Sequence, residues 1–222
     1  MNSIIKKGSN HYILKLTNHK YSKIISNSII KILDNSYYDK DYCIIQIICE
    51  NIISFSEYLK NNNYKISEQK CIQLIDNLYK NFSYIIKQNY GIYGIDIEDI
   101  IIVDNIFIFI SPKYILPLHN SINSNLLFMT LFEPLLSKPY FSSPEIINIS
   151  TIPASIRIEC FYYSLASLVV YCLTNKYIFE GNDLKSVEEI KIIIQSINFS
   201  KLYWFLERCL HPNSEERKCF LI

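Results

Sequence analysis

Acidic side chains set between apolar runs are the first places where this sequence could do chemistry. In GIYGIDIEDIIIVDN, residues 91–105, Asp96, Glu98 and Asp99 stand together at the mouth of a hydrophobic strand. Carboxylates so placed can take up a proton or hold a hard cation. They can equally cap a solvated turn. Thiol and imidazole chemistry is poorly supported by comparison. The seven cysteines (43, 49, 71, 160, 172, 209 and 219) sit mostly in apolar runs, without C-x-x-C spacing, and never cluster with His at the spacing of a zinc site. They read as buried free thiols of a reducing compartment.

The elements that must position the acids follow from periodicity. HYILKL (11–16) alternates as a strand, and KYSKIISNSIIKIL carries the apolar band of a helix. YCIIQIIC (42–49) is again strand-like. A short helix begins at Ser54. Ser67 and Glu68 open a long amphipathic helix with Cys71, Leu74, Leu78, Phe82 and Ile85 on one face. Asp104-Asn105 between DIIIV and IFIFI predicts a β-hairpin. Residues 111–145 carry five of the seven prolines and little periodicity, the mark of a long functional or mobile segment. From 155 onward the spacing predicts helices over 155–174, 184–196 and 199–210, and a short one near Ser214.

The bulk properties narrow the classes. The chain has 222 residues, half of them hydrophobic, and a formal net charge of +1. It can bury one sizeable core and has no electrostatic grip for nucleic acid. The N-terminus lacks a continuous apolar signal core, and FYYSLASLVVYCLT (161–174) falls short of the roughly 20 apolar residues a membrane span needs. A cytoplasmic location without membrane association is expected. The richness in Ile, Asn, Tyr and Lys, with four Gly, reflects an AT-rich genome.

In this order, five motifs resemble landmarks of the eukaryotic-type protein kinase superfamily. GIYGIDI (91–97) resembles the G-I-x-H-R-D-L catalytic loop, and SSPE (142–145) resembles A-P-E. YSLASLVVYCLTN (163–175) resembles the central buried helix, LERCLHPNSEER (206–217) the late helix and its arginine, and CIIQIICEN (43–51) the strand entering the hinge. The resemblance covers residues 42 to 220. It implies an α+β fold with a reduced N-terminal β lobe and hinge strand (1–51), a mainly helical C-terminal lobe (52–222), and an activation-like segment at 111–145.

The same resemblance implies roles residue by residue. Asp96 takes the place of the catalytic aspartate, and Glu145 and Arg217 take the places of the ion pair that ties the activation segment to the helical lobe. Arg217 lies two residues later than in the family. Lys15, in YILKL, is the candidate for the phosphate-binding strand lysine, though the following helix supplies no glutamate to pair with it. Gly94 and Ile95 replace the family's His and Arg. Glu98 inverts the charge of a lysine that neutralises the transferring phosphate. Ile101 and Ser111 occupy the expected magnesium-ligand positions, and neither is a carboxylate or amide. Asp99 and Asp104 lie nearby in sequence and could rescue one metal, though a β-turn and a loop cap explain them more simply. Phe161 replaces a supporting aspartate, and a G-x-G-x-x-G loop is missing, since Gly8 alone precedes residue 91.

Losses in so many independent parts of phosphoryl transfer imply a truncated, degenerate kinase, a pseudokinase acting through a protein partner such as a kinase or a kinase substrate. No cofactor is then expected. Leu126, Phe128, Met129, Leu131 and Phe132 would form an apolar docking patch, unless they pack onto the lobe. Two other readings stay open: a divergent active serine/threonine kinase using ATP and Mg2+, and a small helical structural or adaptor protein. A shortened, AT-biased chain of this kind fits a large DNA virus, which would place it in host cytoplasm, or a parasite.

Overall fold

In the computed structural model, residues 2–38, 41–119, 125–130, 140–180 and 183–220 are described. The chain opens with a small sheet. β1 (Ser3–Lys6) and β2 (His11–Lys15) form a hairpin, α1 (Ser22–Ile32) follows, and β3 (Ser36–Tyr37) and β4 (Ile44–Ile48) complete a four-stranded antiparallel sheet in the order β1-β2-β4-β3. Strand alternation decides its faces. Tyr12 and Leu14 on β2 and Ile45 and Ile47 on β4 are buried, whereas Lys15, Ile44 and Ile48 are exposed. α1 is placed by Ile24, Ile25 and Ile29, which are buried on one face.

The connection to the larger part is pinned by the hairpin predicted at 99–110. β5 (Ile52–Ser54) pairs with β7 (Ile100–Val103), and β7 pairs with β8 (Ile106–Phe109). The turn residues Asp104 and Asn105 have φ of 44° and 70°, the left-handed pair that a two-residue hairpin turn demands. The Asp104 carboxylate accepts the backbone N–H groups of Glu50 and Asn51 at 3.2 and 2.8 Å. Its carboxylate is thus engaged by the linker backbone.

Two helices follow the linker, α2 (Phe55–Asn61), capped by Ser54, and α3 (Glu68–Lys87), capped by Ser67. The expected α3 face is buried, together with Asn81. Asn77 and Asn81 accept the N–H groups of Phe107 and Phe109. Four residues of helix and two of strand both advance about 6 to 7 Å, so the helix satisfies the open edge of β8.

β6 (Tyr90–Ile92) pairs with β9 (Ile115–Pro117), and β10 (Leu126–Met129) pairs with β11 (Ala154–Arg157). Gly91 lies where β6 meets β10, and a Cβ there would come 2.6 Å from Leu127 Cδ2, so the end of that side chain would have to move. The helix expected over 155–174 is shorter than its spacing predicts. Residues 154–157 are strand, and α5 starts at Cys160, after the four-residue α4 (Pro144–Ile147). Pairing with β10 overrides the local helical pattern. α5 (Cys160–Thr174) is buried almost all round, as its apolar run predicts. α6 (Val187–Ile194) and α7 (Lys201–Cys209) pack beside it, and a 3-10 turn at Ser214–Glu216 leads to Arg217. Among the described residues, no helix is long and apolar enough to cross a membrane.

Candidate functional site

The loop after β6 is built around its own acids. Asp96 opens a 3-10 turn (Ile97–Asp99), and the two aspartates brace each other. The Asp96 N–H donates to Asp99 Oδ2 at 3.0 Å, and the Asp99 N–H donates to the Asp96 carbonyl at 3.0 Å. Beneath them the Tyr93 N–H donates to the Tyr114 carbonyl, fixing the loop to the start of the 111–145 segment.

The Asp96 carboxylate is engaged on three sides. Oδ1 accepts the Tyr140 backbone N–H at 2.6 Å. Oδ2 accepts the Tyr114 hydroxyl at 2.5 Å and faces Lys113 Nζ at 3.4 Å. One side chain therefore joins the loop to both ends of the long segment. Burial pushes the Tyr114 hydroxyl up, and its bond to Asp96 raises it further, so it remains a donor. Lys113 also lies 3.4 Å from Asp99 Oδ1, giving two carboxylates one ammonium.

Asp99 feels that imbalance. Burial raises its carboxyl to about 6, opposed by Lys113, raised again by Asp96, and lowered by the hydroxyl of Ser111 and the backbone of Asp96. Asp99 is thus a titrating brace.

A cleft of about 510 Å3 separates the small sheet from this loop. Leu14 lines it from above, and Asp99, Ile101 and Ser111 are among the residues lining it from below. Ile101 and Ser111 are buried. Asn2 bridges the two sides: its Nδ2 donates to the Ile110 carbonyl at 3.3 Å, and its Oδ1 accepts the Thr17 N–H at 2.7 Å. Lys15 is outside this cleft. The β2 side chain turned into it is Leu14, and its neighbour Lys15 is exposed on the opposite face. Strand neighbours point to opposite sides, so Leu14 rather than Lys15 lines the cleft.

Glu145 and Arg217 are brought together as a bidentate pair. Arg217 Nη2 and Nη1 lie 2.7 and 3.0 Å from the two Glu145 oxygens. Nε donates to the His211 carbonyl and Nη2 to that of Pro212. The guanidinium also lies 4.8 Å from the Tyr163 ring centroid. Its side chain is fully buried, and the carboxylate is 26% exposed. Phe161 stacks on Phe82 with centroids 4.1 Å apart, so ring packing fills that part of the core.

Of the expected docking patch, three residues are described. Leu126 and Phe128 are half-buried in β10, and Met129 is fully buried because strand pairing turns it into the core. Leu131 and Phe132 lie outside the described residues. More exposed apolar side chains occur elsewhere, Phe199 at 86% and Ile192 at 68%. Sequence reasoning missed Lys113, Tyr114, Tyr140 and Asn2. Lys113 had a faint signal, a base just after Ser111-Pro112. The others had none, because their partners are distant in the chain. Among the described residues, no group of three or more His, Cys, Asp and Glu is placed to hold a metal ion.

Comparison with models of known protein families finds no match, nor does comparison with curated proteins. Among solved structures, the chain is similar to the autoinhibited serine kinase domain of the giant muscle protein titin. The likeness has a TM-score of 0.56 and 14% identity, covering 98% of this chain and 76% of that one. The fold is therefore protein-kinase-like, an α+β arrangement with a β-rich N-terminal region and a mainly helical C-terminal region.

Proposed function

We propose that the chain is a catalytically inactive, truncated relative of the protein kinases that acts by binding another protein, a kinase or a kinase substrate. Its reduced β lobe would span 1–51 and its helical lobe 52–222. The observation that carries this reading is the engagement of Asp96. A base for phosphoryl transfer must be free to accept the proton of the substrate hydroxyl, whereas this carboxylate holds Tyr114, Lys113 and the Tyr140 N–H. A substrate would have to displace that latch to reach it.

Ile101 and Ser111 in the cleft support the same reading, because magnesium calls for carboxylate, amide or water oxygens in octahedral array. Leu14, where the strand faces the cleft, offers nothing to a phosphate. No ATP or Mg2+ dependence is therefore proposed for the function. A cytoplasmic protein of a large DNA virus, working in the host, would suit the AT-biased composition. One observation favours a second reading: the open cleft has the volume of a small-molecule site, which suits a divergent serine/threonine kinase or a nucleotide held without transfer.

The test is phosphate transfer from labelled ATP with Mg2+ to casein and to histone, run beside Asp96→Asn. The proposal expects equal, background incorporation from both proteins. Transfer by the native chain that Asp96→Asn abolishes would overturn it.

A further inference from the structure

The last described residues are bound along α7. Arg208 Nη2 donates to the Phe220 carbonyl at 2.8 Å, and its guanidinium lies 4.4 Å from the Phe220 ring centroid. Cys209 Sγ donates to the Lys218 carbonyl at 3.4 Å. Residue 219 is thereby held between two anchored carbonyls. Cys219 is half-buried against the core, and the carbonyl just before it, that of Lys218, accepts the fully buried Cys209 thiol, which sets the two cysteines side by side.

We propose that Cys209 and Cys219 form a reversible thiol–disulfide site, oxidised by hydrogen peroxide, that staples the C-terminal tail to α7. The Cys219 sulfur attacks one peroxide oxygen and the O–O bond breaks. The departing hydroxide takes the thiol proton and leaves as water, and Cys219 becomes a sulfenic acid. The Cys209 sulfur then attacks the Cys219 sulfur, the S–O bond breaks, and the hydroxyl leaves with the Cys209 proton as a second water. Two thiols give up two electrons and one peroxide accepts them.

The order of attack follows from position. Burial, and then the neighbouring Cys219, push the Cys209 thiol well above its ordinary value, which keeps it protonated, and solvent reaches Cys219 instead. The closed loop carries Arg217, so oxidation also restrains one arm of the pair with Glu145. Cys43, also half-buried, sits against Ser22 and Asp41 and serves as an internal control.

The experiment treats the full chain with equimolar hydrogen peroxide at neutral pH, alkylates the remaining thiols, and maps peptides without reduction. The result expected is a mass loss of about 2 Da, a cross-linked peptide joining residues 209 and 219, and its reversal by dithiothreitol. The melting midpoint should rise by about 5 °C, as closure of a short loop predicts. Cys219→Ser should abolish the cross-link and the shift. Cys209→Ala should leave a sulfenic acid at Cys219 that dimedone traps. Should the Cys209→Ala chain fail to fold, the map of the native protein decides alone. Overoxidation of Cys219 with Cys209 still alkylated as a free thiol, or oxidation of Cys43 with both C-terminal thiols intact, would overturn the proposal.

Discussion

The large lobe holds two charged constellations, and they are balanced differently. At the Glu145–Arg217 pair one carboxylate meets one guanidinium in two parallel contacts, and backbone carbonyls take further donors. In the loop at 96–99 two carboxylates share Lys113, whose side chain is 47% exposed. The first arrangement satisfies its charges within the fold. The second leaves Asp99 with a carboxyl that titrates near neutrality. The difference teaches that the pair needs only to hold, whereas the loop still bears a crowded acidic geometry turned to holding chain segments together.

Breaking the balanced pair should have the largest effect. Arg217→Ala strands a carboxylate and three carbonyl and ring contacts, and should lower the unfolding free energy by about 3 to 5 kcal/mol. Urea titration of the two proteins measures it. A loss below 1 kcal/mol would remove the distinction between the two regions.

The crowded loop should reveal itself through pH. The folded-state value of Asp99 lies at about 6, above its ordinary 3.8. The folded chain therefore holds this proton more tightly than the unfolded chain does. Its contribution to stability is fully present below the ordinary value and is lost as pH rises through the folded one. The loss amounts to about 3 kcal/mol for a shift of this size. Asp99→Asn should flatten the difference, read as the change in unfolding free energy between pH 4 and pH 7 relative to the native chain.

A smaller effect is expected at the latch. Asp96→Ala leaves the Tyr114 hydroxyl and the Tyr140 N–H without their acceptor and should cost about 2 kcal/mol. Limited proteolysis should then cut within 111–141 sooner than in the native chain. Unchanged stability and cleavage would mean that Asp96 is not a structural joint.

Much of this was legible in local signals. The face of α3 repeats every three to four residues, the Asp104-Asn105 turn has its own chemistry, and Glu145 and Arg217 stood in motifs whose order could be matched. Register was harder. Lys15 and Leu14 differ by one position, and one position exchanges the faces of a strand, so Leu14 lines the cleft while the lysine is exposed. Ala154–Arg157 stands between Pro153 and a two-residue turn that leads into a helix, and only pairing with the distant β10 makes it a strand. Tyr140 meets Asp96 across 44 residues, and no periodicity encodes such a meeting. Met129 read as a surface anchor because apolar runs look alike whether they pack inward or outward.

The central claim is that the cleft has lost its metal-dependent nucleotide chemistry while the surrounding architecture is kept. Titration calorimetry of the native chain with ATP, with and without Mg2+, tests this most directly. The account predicts no Mg2+-dependent heat up to millimolar nucleotide. Micromolar binding that requires Mg2+ would contradict it, and would return Asp99, one of two acids lining the cleft with Glu98, to the place of a metal ligand.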